Sequence, residues 1–309
     1  MSEYRATPTL LHQGGPEDPP SGVSYALVLC PSEPFRAVMG IMLAFSGYVL
    51  LLPVIQQLVL YIGAFARGVQ DFPAYMQWAR AYEMPEGLLA GHLALASLTL
   101  VALAISRFVH GRAPMWTFSV QPGMRWRYLL ATMLVALVVL NGMLWLSFTW
   151  QGTPHFNSGQ PNAAWFVLAV VLSSPLQALA EEVFFRGYLL QSLGSATGRV
   201  WIGVVGSSLI FASMHGLQNP ALFTHRLVFG LISGALVMWT GGLEAGIAAH
   251  VVNNLGAFGY AIFTTSVAEI RAVQEITWVK AGWDILTFVL FAAIAGWAAR
   301  RMRLATHTP

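Results

Sequence analysis

The sequence predicts an all-α, polytopic membrane protein of about eight spanning helices. Three observations predict it. Hydrophobic residues make up 56% of the chain and charged residues only 9%, whereas a soluble domain is about 45–50% apolar and about 25% charged. Mean hydropathy is +0.62. The apolar residues fall in runs of about twenty, enough to cross about 30 Å of hydrocarbon as helix, and the polar segments between them are short. The net charge of +3 and pI near 9.2 do not indicate a nucleic-acid partner. The 16 Lys and Arg are spread over the connections without a basic patch, and they report topology instead. Cys30 is the sole cysteine, which excludes an internal disulfide and a cysteine-based metal cluster.

Residues 1–34 read as a polar, disordered or interfacial tail, rich in Gly and Pro from Gln13 to Pro20. A basic region followed by an apolar core is missing there, so no cleavable leader is predicted and the first span is expected to anchor the chain. N-terminal spanning helices occupy 35–162. The first runs from about Ala37 to Phe65 past Pro53, long enough to tilt, kink or form a re-entrant pair. An interfacial loop is expected over 66–87, then spans at about Leu88 to Phe108 and Tyr128 to Phe148. Between those two, Arg107, Arg112, Arg125 and Arg127 alternate with Trp116, Phe118, Trp126 and Tyr128, which predicts an aromatic belt on a cytoplasmic loop. A core over 163–265 holds spans at about Ala164 to Leu190, Val200 to His215, Phe223 to Trp239 and Leu243 to Phe263. The segment 266–309 holds the last span and a basic tail, Arg300, Arg301 and Arg303. Eight spans put both termini on one side, with the arginine-rich loop, hence in the cytoplasm. The location implied is multi-pass in the cell (inner) membrane. High Ala and Arg usage with one lysine, Lys280, points to a GC-rich bacterial genome.

The 163–265 region carries groups that hydrocarbon disfavours. Glu181, Glu182 and Arg186 lie inside an apolar run, and a charge at the centre of a spanning helix costs about 2.5–3.5 kcal/mol on insertion scales. Residues four apart share a helix face, so Glu182 can pair with Arg186 and support the site. Glu181 is left without that partner, in line with Ser174, Gln177 and Tyr188. A poorly hydrated carboxylate has a raised proton affinity, which suits a general base. Phe211 and His215 share a face of the next span. His250 and Asn254 share a face two spans later, whereas the neighbouring amide Asn253 does not. Two donors on adjacent turns could serve one oxyanion, and Glu181 with His215 could hold and deprotonate a water. His92, His110, His155, His225 and His307 are expected to meet solvent or headgroups.

Glu181-Glu182-xxx-Arg186, Phe211-xxx-His215 and His250-xxx-Asn254, in this order on successive spans, resemble the three motifs of the CAAX protease and bacteriocin-processing family, relatives of the Ras-converting CAAX endopeptidases. The resemblance covers about residues 165–260. It implies an eight-helix intramembrane glutamic endopeptidase without a metal or other cofactor, acting on a membrane-tethered protein or peptide. It also implies that Glu181 and His215 activate water, that His250 and Asn254 form the oxyanion side, and that Glu182 and Arg186 support them. Trp239-Thr240-Gly241 departs from the Arg-Thr-Gly many members carry. Two alternatives stand beside this reading: an inactive relative serving as membrane scaffold or immunity protein, and a zinc protease using Glu181, His215 and His250. Counting leaves convergence open. Glu181 lies about 20–30 Å from the turn at 194–198, but His250 only about 12 Å from the turn at 241–242. The motifs can meet only if the first hairpin projects beyond the second turn, or if spans tilt.

Overall fold

The computed structural model describes residues 11–12, 14–157, 159–217 and 219–309; most of the expected N-terminal tail's first half lies outside them. Among the described residues the protein is helical, with isolated β-bridges in place of sheets. Helix α1 runs Pro34–Arg67 as one continuous element through Pro53, and Gly68 at φ 62° ends it. Leu50, Val54 and Phe65 project outward, Phe65 with 90% of its surface exposed, as a lipid-facing helix requires. The segment read as a loop over 66–87 holds helix α2, Phe72–Arg80. Asp71 caps it by accepting from the Ala74 N–H at 3.0 Å.

Helices α3 (Pro85–Ala96) and α4 (Leu98–Phe108) form one apolar unit, broken where the Ser97 hydroxyl donates to Ala94 O at 2.6 Å. Then follow α5 (Trp126–Gln151), α6 (Ala163–Glu181), a π-helical segment (Glu182–Leu189), α7 (Leu190–Thr197), α8 (Val200–Met214), α9 (Pro220–Thr240), α10 (Glu244–Thr264), α11 (Val267–Ala272) and α12 (Trp278–Arg301). The eight spans expected from sequence each coincide with a helix or a continuous helical unit. Six units are long and apolar enough to cross a membrane: 34–67, 85–108, 126–151, 163–197, 220–240 and 278–301. The other two are α8, which has 15 residues, and α10, whose Glu244, His250, Asn253 and Asn254 dilute its hydropathy. Both carry motif residues. This is a multi-pass membrane protein.

One end of the bundle is closed by segments that sequence reasoning assigned to a tail and a headgroup loop. The described part of the tail is docked. Tyr25, Ala26, Val28 and Leu29 are buried, and the Tyr25 hydroxyl donates to Thr117 O. Arg112 is 5% exposed and donates to Val28 O at 3.0 Å, to Asp18 O at 2.6 Å and to Cys30 O. A guanidinium with five N–H groups can satisfy several carbonyls of an irregular segment at once. These residues pack with no regular element beyond a single 3-10 turn at Tyr25–Leu27. The C-terminal tail joins in through Thr308 N to Val23 O at 2.9 Å. The expected aromatic belt is only partly present. Trp126 is exposed, but Trp116 donates to Asp18 Oδ1 at 3.0 Å and Tyr128 donates to Ala295 O at 2.9 Å, both buried.

Candidate active site

The π-helical segment begins at Glu182, directly after Glu181. Its i→i+5 bonding widens each turn by about one residue relative to an α-helix, a departure frequent at functional sites. Seven residues therefore do not complete two turns. Tyr188, expected in line with Glu181, instead places its hydroxyl 3.3 Å from His110 Nε2. Glu182 and Arg186 remain neighbours in the wider turn, with Nη1 3.2 Å from Oε1 and the two side chains 1% or less exposed. The guanidinium also lies 4.0 Å from the centre of the Phe211 ring and 5.2 Å from that of Phe229. Two aromatic faces thus supply part of the environment that water would otherwise give this cation.

Helix α10 runs antiparallel to α6 and its π-helical extension, and the contacts march along both at matched spacing. A side chain on Gly187 would meet Leu243, and one on Gly246 would come within 2.9 Å of Glu182 Oε2. Further along, His250 stands between the two carboxylates, with Nδ1 2.9 Å from Glu182 Oε1 and Nε2 3.4 Å from Glu181 Oε2. Beyond it, Asn254 Nδ2 donates to Gln177 Oε1 at 2.7 Å. The register answers what counting left open: the hairpin of α7 and α8 projects past the turn at Gly241. Its far end is received by the docked N-terminal segment, where Ser195 Oγ donates to Ala26 O at 3.2 Å.

Glu181, Glu182, Arg186 and His250 are thereby one connected group; Asn254 lies one turn further along α10, bonded to Gln177, and Phe211 and His215 flank the group. The Phe211 and His215 rings lie 4.3 Å apart, and Phe229 meets His250 edge-on at 5.3 Å. His215 Nδ1 lies 2.8 Å from Phe211 O. A carbonyl only accepts, so Nδ1 carries the proton and Nε2 presents its lone pair. Glu181 is within electrostatic reach of His215. His215, His250, Asn254, Phe211 and Phe229 contribute to the wall of a cavity of about 530 Å³. Glu181 sits behind His250 and is 4% exposed. Among the described residues its Oε2 makes no hydrogen bond, and His250 Nε2 faces it at 3.4 Å.

Three expectations change. His250 and Asn254 are not aimed at one common oxygen, because the imidazole is drawn to the two carboxylates and the amide to Gln177. Four histidines assigned to solvent or headgroups have protein partners: His92 Nδ1 with Ser173 Oγ at 2.9 Å, His110 with Tyr188, His225 Nε2 with Asp284 Oδ2 at 3.7 Å and, exposed in the C-terminal tail, His307 Nδ1 with Thr306 Oγ1 at 3.0 Å. Arg125, read only as a topology marker, grips Glu244 through two bonds of 2.8 and 2.6 Å at the start of α10. Arg226 was also missed; its Nη1 donates to His215 O at 2.6 Å. An isolated intramembrane Glu244 was the one signal that could have prompted a search for its cation. Among the described residues, no three His, Cys, Asp or Glu side chains are arranged to hold a metal ion.

Comparison with known proteins places the same stretch. Residues 163–256 match the family described as Type II CAAX prenyl endopeptidase Rce1-like. The motif-bearing segment is similar to that family. It spans α6 through the first half of α10 and contains every motif residue named above. The chain is also similar to the uncharacterized protein YyaK of Bacillus subtilis (strain 168), 28% identical over 151 residues, which is 45% of this chain and 50% of that protein. The chain thus spans about half the length of the curated relative it matches. No solved structure matches it.

Proposed function

We propose that this protein is an intramembrane endopeptidase that hydrolyses a peptide bond of a membrane-tethered protein or peptide with a water activated by Glu181. The observation that supports this reading best is the distribution of charge at the site. Arg186 and Glu182 form a buried ion pair, whereas Glu181, among the described residues, makes no ion pair with an Arg or Lys and lies beside two imidazoles. In this reading Glu181 takes a proton from water, and His215 Nε2 accepts the second O–H and orients it. The water oxygen attacks the peptide carbonyl carbon. The oxyanion is met by the Asn254 amide hydrogen not engaged by Gln177, while His250 stays between the two carboxylates. The C–N bond then breaks, and the proton held on Glu181 passes to the leaving amine. Glu182 holds His250 through Nδ1, a supporting role.

General-base catalysis contributes about 10²–10⁴-fold. Glu181→Gln keeps the shape and removes the base, so processing should fall at least about a hundredfold while the protein folds normally. The measurement is a comparison of membrane-protein termini in cells carrying the wild type or E181Q. If a native target is still processed at the wild-type rate in E181Q, the role of Glu181 is wrong.

A further inference from the structure

The cavity is built at one end of the bundle. Its walls come from the second half of α5, the first turns of α9, the middle of α10, the end of α11 with the connection after it, and the first turns of α12. In this up-and-down arrangement all but the middle of α10, which forms the cavity's inner end, belong to one face. His215 lies one residue beyond α8, beside the turn at Gly216 that leads out on that same face. Glu181, by contrast, is about 24 Å of helix away from the opposite turn at Gly198. The opposite face is shut by the interlock of residues 17–30, 110–121 and 302–308, with Tyr25 and Val120 fully buried. Among the described residues, charge sorts with these faces. The closed face holds Arg36, Arg107, Arg112, Arg125, Arg127, Arg199, Arg300, Arg301 and Arg303, beside Glu17, Asp18, Glu33 and Glu244. The open face holds Arg67, Arg80, Arg226, Arg271 and Lys280, offset by Asp71, Glu83, Glu86, Glu269, Glu275 and Asp284. An excess of Lys and Arg marks the cytoplasmic side.

We propose that the scissile segment enters from the open, non-cytoplasmic face, so that the substrates are membrane-tethered chains cleaved in a stretch lying outside the cytoplasm. This rests on the hydrolytic reading above for the cleavage, but not for the sidedness. The apolar wall of Leu140, Leu144, Phe229 and Phe288 leading inward from this face would take an extended peptide.

The test uses full-length protein in right-side-out spheroplasts, in a Cys30→Ser background so that each introduced thiol is alone. A membrane-impermeant maleimide should label Gln274→Cys at the cavity rim in intact spheroplasts, and label Pro309→Cys only after permeabilisation. Labelling of P309C but not Q274C in intact spheroplasts overturns the sidedness. External modification of Ala257→Cys in the cavity wall should cut formation of Glu181-dependent membrane-protein fragments more than tenfold. Modification of Glu83→Cys, exposed on the same face away from the cavity, should leave it unchanged. Undiminished cleavage after A257C modification overturns the entry route. Absence of any Glu181-dependent fragment from the wild type refutes the hydrolytic reading, and the labelling pattern then still decides the face.

Discussion

Replacing Arg186 by Met tests whether the buried charges are held as a compensated pair. In the folded protein the guanidinium lies 3.2 Å from Glu182 and both side chains are shielded from solvent. Removing one member of such a pair strands the other, at a cost of about 3–5 kcal/mol. Loss of the ring contacts to Phe211 and Phe229 adds about 0.5–2 kcal/mol each. His250 Nδ1 still donates to the carboxylate, so the lower end applies, and R186M should lose about 3–4 kcal/mol of unfolding free energy. The double variant Glu182→Gln with Arg186→Met removes both members of the pair, and the carboxamide oxygen that E182Q introduces can still accept from His250. It should therefore regain about 2 kcal/mol relative to R186M alone. The assay is reversible unfolding by sodium dodecyl sulfate in mixed micelles, with both single variants and the double forming a cycle. A coupling energy below about 0.5 kcal/mol, or a double variant no more stable than R186M, would refute charge compensation as the reason these groups are tolerated.

Two further outcomes follow from the packing and from one loop histidine. Gly246→Ala puts a methyl 2.9 Å from Glu182 Oε2, on a carboxylate held through Oε1 by Arg186 and His250, and should cost about 1–3 kcal/mol. Gly259→Ala on the same helix meets nothing within 4 Å and should be neutral or stabilising by up to about 1 kcal/mol; equal effects in the micelle assay would contradict the register of α10 on Glu182. Burial, and next to it the charges of Arg36 and Arg112, push His110 down to about 4. The folded state thus refuses a proton that the unfolded chain binds below about 6.5, so His110 contributes no pH dependence above that value and stability is lost as pH falls toward about 4. Melting temperatures from pH 8 to 4 should show a shallower acid slope for His110→Gln than for the wild type, and parallel slopes would remove His110 as a source of acid sensitivity.

Much of the candidate site was legible as local spacing. Glu182 and Arg186 four apart must neighbour on any helix, as must His250 and Asn254, and their cost in hydrocarbon singled them out without any fold. The spans were legible for the same reason, because lipid contact imposes apolar runs of fixed length. Partners across helices were not. Which imidazole reaches Glu181, where Asn254 turns its amide, and how deep one hairpin sits against another depend on register. Register is set by close approaches such as Gly246 on Glu182 and Ala26 on Gly194. The widened turn after Glu181 also escaped, since its side chains suit an α-helix equally well and only the surrounding packing selects the i→i+5 form.

By itself, then, the amino-acid order determined a membrane-embedded helical bundle and the handful of polar groups that hydrocarbon would not tolerate without a purpose. Tertiary structure alone decided that His250 bridges the two glutamates, that the described part of the N-terminal segment is docked, and that the cavity opens on one face. Periodicity constrains each helix against its surroundings, whereas contacts between helices arise from shape and depth that no single segment encodes.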